Sequence, residues 1–219
     1  MNCILLKMPE LIFIEGIIGV GKSTLIEKLK NEGVNEFEAI QEPIGEFTLL
    51  KQFYENPKKY AYDFQLQVLE VIVNLMEKIV EKFSSSQKTI VVERSPMSCA
   101  IFTHQLSRTE NGFISEQQRK FIKEKIFNNM VKMSKHFKIR FFLLDCDVAV
   151  AQRNIKSRNR AGEENIQNGY LEHLRECHVK MFPVVIENNI ESLKNALCSL
   201  HVSPNFEDML KMLHERAKK

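Results

Sequence analysis

The chain has 219 residues, 44% of them hydrophobic and 27% charged, with a net charge of +3. That length suffices for one α/β domain with a full core, and so small a charge excludes a global field for nucleic acid, so any basic site must be local. The five cysteines (Cys3, Cys99, Cys146, Cys177, Cys198) are scattered and form no C-x-x-C pair, which argues against a disulfide scaffold and for reduced thiols in a reducing compartment. No apolar run approaches the ~18 residues of a membrane helix. Met1 to Pro9 read as neither a signal nor a transit peptide. The expectation is a cytoplasmic protein with no membrane and no nucleic-acid partner.

In chain order, Leu11 to Glu15 reads as a buried strand. It runs into Gly16-Ile17-Ile18-Gly19-Val20-Gly21-Lys22-Ser23, which fits G-x-x-x-x-G-K-[ST] at every fixed position. Thr24 to Lys30 follows with a helical pattern that puts Leu25, Ile26 and Leu29 on one side. Strand, glycine loop and helix together make a phosphate cradle. Backbone N–H groups of Gly19, Gly21 and Lys22 point inward, and the helix N-terminus adds a positive pole. Lys22 then reaches the terminal phosphates of ATP, and the Ser23 hydroxyl is a magnesium ligand. The rival dinucleotide fingerprint fails, because Thr24 stands where its third glycine belongs.

Phe37 to Ile40 is a second strand leading to Gln41-Glu42-Pro43. A long helix covers about Ala61 to Phe83, with Phe64, Val68, Ile72, Leu75, Ile79 and Phe83 at three-to-four spacing. Ser84-Ser85-Ser86 breaks it, and the β-branched run Thr89 to Glu93 is the expected central strand. Helices over about Ser98–Leu106 and Ser115–His136 precede a strand at Ile139–Leu144 and a helix at Val148–Lys156. A polar segment, Ser157 to Gly169, separates that helix from another at Tyr170–Met181. Pro183 to Ile186 is the expected last strand, ahead of a C-terminal helical tail. Five strands divided by helices imply an α/β fold, a five-stranded parallel sheet flanked by helices on both faces, with residues 1–219 as a single domain.

Ligands of such sheets bind at the carboxyl ends of the strands. Three strands end there in acidic or phosphate-binding residues: Glu15-Gly16, Glu42, and Glu93-Arg94-Ser95. Glu42 can take a proton from an attacking hydroxyl, and Glu93 can hold magnesium. Arg94 can orient Glu42. A solvated loop acid and a structural ion pair are the alternatives. Arg153, Lys156, Arg158 and Arg160 place four cations within eight residues, which suits a lid over about 157–169 that closes on transferring phosphates. A solvated basic face is the alternative there.

These residues resemble the deoxyribonucleoside kinases: deoxycytidine, deoxyguanosine and mitochondrial thymidine kinases and the insect multisubstrate enzyme. The resemblance runs from about Leu11 to Ile190. Its markers are the phosphate loop, Glu42-Pro43, Tyr54-Glu55-x-Pro57 followed by Phe64-Gln65, Glu93-Arg94-Ser95, and the arginine lid with Glu163. It implies a P-loop kinase with an arginine-rich lid, ATP and Mg²⁺ as cofactors, a small deoxynucleoside as acceptor, and a homodimer. By the same resemblance Glu42 is the general base toward the sugar 5′-hydroxyl and Arg94 its partner. Tyr54 and Glu163 hold the 3′-hydroxyl, Gln65 pairs with the base edge, and Phe47 packs against sugar and base. Arg153, Arg158 and Arg160 are lid arginines that act with Lys22 on the transferring phosphate.

The relatives that prefer deoxycytidine or purines resemble each other in carrying arginine and aspartate at the positions of Ile72 and Cys99. Both positions are uncharged here, as in the thymidine-accepting relatives. The expectation is therefore a pyrimidine kinase that accepts thymidine, with deoxyuridine and deoxycytidine as companions and deoxyguanosine poor. Two departures stand out. The phenylalanine that stacks on the base is one position early, so either Phe102 stacks or Thr103 faces the pocket. The lid also holds one residue more than usual between Arg153 and Arg158. A thymidylate kinase is the rival reading, but its usual Asp-Arg-Tyr is replaced by Glu93-Arg94-Ser95, and a carboxylate at position 42 repels a phosphorylated acceptor.

Overall fold

Strand β1 (Glu10–Glu15) is apolar along nearly its whole length, and Leu11, Ile12, Phe13 and Ile14 are completely buried. Such a continuous run belongs to a strand covered on both faces. The computed structural model describes residues 8–32, 35, 37–108, 112–182, 199–203 and 206–217. β1 pairs in parallel with β3 (Thr89–Glu93) on one side and β4 (Lys138–Leu144) on the other. Strand β2 (Phe37–Ile40) extends the sheet beyond β3, and β5 (Ser199–Ser203) extends it beyond β4, giving the order β2-β3-β1-β4-β5. Helices flank the sheet. The chain changes sides of β1 between β3 and β4, so the carboxyl end of β1 is a switch point where open α/β sheets bind ligands.

Local signals explain the helix starts. α1 (Lys22–Asn31) opens directly from the glycine loop. α2 (Leu50–Glu55) is short and packs on α3 (Pro57–Phe83). The Asn56 side chain accepts the Lys59 N–H and Pro57 sits at the first helical position, so α3 begins four residues before the expected Ala61. Of its expected stripe, Phe64, Val68, Ile72, Ile79 and Phe83 are buried, whereas Leu75 is half-buried and its neighbour Met76 takes the core position. α4 (Pro96–Ser107) starts at Pro96 rather than Ser98, because Ser95 caps it by accepting the Met97 N–H. α5 (Glu116–Ser134) has a reciprocal cap between Ser115 and Gln118. α6 (Val148–Arg158) runs two residues past its expected end, so Arg158 is helical. α7 (Asn168–Glu176) continues into a widened turn, Cys177–Met181. The strand expected at 183–186 lies outside the described residues. β5 lies instead in the stretch taken for a helical tail, with α8 (Phe206–Ala217) after it.

Candidate active site

The phosphate loop is closed by close approaches that only glycine allows. Gly16 has φ +138°, and a Cβ there would lie 2.3 Å from the Leu144 carbonyl oxygen. Lys22 is buried across the loop, donating to the carbonyls of Gly16 at 3.1 Å and Ile17 at 2.8 Å. Burial first, and the nearby Arg94 cation second, pull its ammonium pKa down to about 7. The Ile17 side chain belongs to the core, so its part in the loop is played by backbone. The Ser23 hydroxyl donates to Glu93 Oε1 at 2.7 Å. This hydroxyl and carboxylate, side by side at the loop, fit Mg²⁺, a hard cation that takes few protein oxygens and completes its shell with phosphate and water.

Opposite the loop, Arg94 Nε donates to Glu42 Oε2 at 3.2 Å, with both side chains at most a tenth exposed. The Glu42 N–H reaches Glu93 Oε2 at 3.4 Å. Burial raises the Glu42 carboxyl above the usual range, and the Arg94 charge offsets only part of that rise. Arg94 itself lies at φ +66°, in the left-handed region that non-glycine residues avoid. Its N–H donates to the Ile14 carbonyl at 3.0 Å. Its guanidinium sits 4.9 Å from the centre of the Phe102 ring, and Nη1 has no partner among the described residues.

A cleft of about 1200 Å³ runs from the phosphate loop to α3 and α4. Gln65, 3% exposed, lines it, and its buried Oε1 accepts no hydrogen bond from the described residues. Ile72 and Cys99 line the same end, both uncharged. Phe47 meets Phe64 edge-on at 6.2 Å between ring centres, which forms an aromatic wall. Phe102 lines the cleft, whereas Thr103 is buried away from it, so the ring at 102 is the one that faces the ligand space. Glu163, 2% exposed, gathers two arginines: Arg158 donates to it at 2.7 and 2.6 Å, and Arg160 at 3.1 Å. Tyr54 stands beside them. Its phenol pKa is raised by burial and then by the Glu163 charge, and the Gly162 turn packs flat on its ring.

Two of the four expected lid cations are elsewhere. Arg153 and Lys156 are exposed on α6 and do not line the cleft. Ala151 and Ile155 of that helix press on Gly19, where a Cβ would meet the Ala151 carbonyl at 2.4 Å. Neighbouring helix positions differ by about 100°, so this packing turns Asn154 toward the loop and Arg153 away. Asn154 Nδ2 donates to the Gly19 carbonyl at 2.7 Å. The cations in the cleft from this segment are Arg158 and Arg160. Asn154, Tyr170 and Phe206 also line the cleft and went unnoticed in the sequence. Tyr170 lies in the first turn of α7 and Phe206 opens α8, both at ordinary-looking positions outside any spacing pattern.

A phosphate loop that faces a carboxylate–arginine pair across a deep cleft defines a phosphoryl-transfer enzyme. The chain belongs to the deoxynucleoside kinase family, whose family model matches residues 12–204, and it is accordingly an ATP-dependent deoxynucleoside kinase. It is 34% identical over 168 residues to a protein of Invertebrate iridescent virus 3 named as a kinase, covering 76% of this chain and 79% of that one. It is 27% identical over 215 residues to a fowlpox virus protein named as a probable deoxycytidine kinase, covering 94% and 85%. Among solved structures, deoxyadenosine kinase from M. mycoides with bound dATP superposes with a TM-score of 0.71 at 18% identity, over 97% of this chain and 100% of that one.

Proposed function

We propose that this kinase transfers the γ-phosphate of ATP to the 5′-hydroxyl of a pyrimidine deoxynucleoside, thymidine included, in nucleotide salvage. The buried Gln65 amide, whose Oε1 has no partner among the described residues, carries this reading. An amide offers donor and acceptor side by side, which suits N3 and the 4-substituent of a pyrimidine. Uncharged Ile72 and Cys99 beside it leave room for a 5-methyl group and offer no charged grip for a purine. The relatives' names point to different bases, cytosine and adenine, so this reading rests on the pocket residues rather than on kinship. Tyr54 and Glu163 hold the 3′-hydroxyl, Phe47 and Phe102 enclose sugar and base, and Glu42 takes the 5′ proton. Lys22, Arg158 and Arg160 neutralise charge on the transferring group, while Gly16 to Thr24 cradle the donor phosphates.

Ser23 and Glu93 would hold Mg²⁺, which would supply positive charge to offset that of the donor phosphates. Ser23→Ala is expected to raise the magnesium concentration needed for half-maximal rate by about tenfold, as loss of one ligand from a sparse site implies. A magnesium titration at saturating ATP checks this, and an unchanged midpoint removes Ser23 from the metal site. The enzyme is read as a cytoplasmic homodimer, with the apolar helices α3 and α5 as the pairing faces.

The function is tested by following ADP release from Mg-ATP with each nucleoside in turn, then with thymidylate. Thymidine and deoxyuridine are expected to turn over, deoxyguanosine to be poor, and thymidylate to be inert, since Glu42 repels a phosphorylated acceptor. Turnover with thymidylate alone overturns Glu42 as base. A purine as best acceptor keeps the mechanism but overturns the roles given to Ile72 and Cys99.

A further inference from the structure

Glu15, the last residue of β1, is completely buried and does not line the cleft. It receives bonds from one short segment. Its Oε1 accepts the Ser95 N–H at 2.9 Å and the Ser95 hydroxyl at 2.5 Å, and its Oε2 meets the Ser98 hydroxyl. Ser95 Oγ also accepts the Met97 N–H at 3.1 Å, which leaves its own hydrogen directed at Glu15. One residue earlier, the Arg94 N–H is held by the Ile14 carbonyl. The left-handed peptide at Arg94 is therefore gripped on both sides by the last two residues of β1. A non-glycine residue stays in that region only where its surroundings over-determine it.

We propose that Glu15 is a positioning residue for phosphoryl transfer: it clamps the Arg94-Ser95 turn so that the Arg94 guanidinium faces Glu42 across the cleft. This rests on the reading of Glu42 as base and Arg94 as its partner. Glu15 touches no reacting atom and acts only through Arg94. The rest of the turn is poorly suited to hold Arg94 by itself. Arg94 makes one hydrogen bond to Glu42, leaves Nη1 unpartnered, and otherwise lies over the Phe102 ring. A carboxylate is the side chain that can accept three donors on two oxygens.

The test compares Glu15→Gln, Ser98→Ala, Glu42→Gln and the double variants that join each of the first two to Glu42→Gln. The readouts are kcat by transfer of labelled phosphate, KM for the nucleoside, and direct binding of ADP. Glutamine keeps the shape of Glu15 and can still bond Ser95 and Ser98, but through neutral contacts. Glu15→Gln is expected to lower kcat by about tenfold to hundredfold, the scale of a small misplacement in the site, with ADP binding unchanged. In the Glu42→Gln background the same substitution is expected to change nothing further, because Arg94 no longer has a base to orient. Equal losses in both backgrounds, or no loss in either, overturn the proposal. Should Glu15→Gln fold poorly, Ser98→Ala removes one bond to the same carboxylate and is judged by the same cycle. A Glu42→Gln single variant with undiminished kcat instead refutes the reading of the base, which keeps the two failures apart.

Discussion

Glu42→Gln is expected to lower kcat by about 10² to 10⁴-fold, the usual range for loss of a positioned general base, with little change in ADP binding. Glutamine fills the same space but has no lone pair basic enough to take the 5′ proton. It can still accept from Arg94 Nε, which now bonds Glu42 at 3.2 Å, so the fold has no reason to shift. The pH profile gives a second check. Glu42 works as a base only when ionised, and burial raises its pKa. In the unmodified enzyme at saturating ATP, kcat/KM for the nucleoside should therefore fall as pH drops through a value above the ~4.3 of a free glutamate, and hold above it. The variant should lose that acid limb along with its rate. A profile flat down to pH 4, or a variant with near-normal kcat, rules out Glu42 as base.

The parts of the molecule that were legible in the sequence are those fixed by contacts close along the chain. The phosphate loop is a local device, and its motif sits between an apolar run and an amphipathic one, as β1 and α1 do. The stripe of α3 is wide enough for its period to be read directly. The start of α4 was missed by two residues, because Ser95 and Pro96 follow a buried strand with no loop between, and composition alone does not separate strand end from cap. The lid shows the limit more sharply. Arg153 and Asn154 are neighbours on one helix, and only the packing of Ala151 and Ile155 on Gly19 decides which of them meets the loop. Nothing nearby in the sequence carries that information. Glu15 was visible as a strand-end acid, but its partners Ser95 and Ser98 lie about eighty residues away. Phe206 reaches the cleft from α8, 164 residues after Glu42 in sequence. Segments brought together by the sheet order β2-β3-β1-β4-β5 become neighbours only once the sheet exists.

Lys22→Met is expected to lower kcat/KM for ATP by about 10² to 10³-fold, the cost of removing one aligned charge donor from a developing phosphate charge. It should also abolish a proton uptake that the unmodified enzyme is expected to show on binding nucleotide. Without a ligand, Lys22 spends its hydrogen bonds on the carbonyls of Gly16 and Ile17. Burial and the Arg94 cation hold its pKa near about 7, against the pull of Glu93, Glu42 and Glu15. As pH rises past that value the neutral amine is expected to become the larger fraction. Arriving phosphates add negative charge at close range, which raises the pKa again. At pH 8 most molecules must then take up a proton as ADP binds, while near pH 6 the lysine already carries it and uptake vanishes. The sign follows by linkage: a group whose pKa rises on binding strengthens affinity as pH falls toward its unliganded value. Titration calorimetry in two buffers of different ionisation enthalpy measures the uptake directly. An apparent enthalpy independent of the buffer at pH 8 would mean that Lys22 stays charged in the empty loop. Uptake that persists in Lys22→Met would move the titrating group elsewhere in the cleft.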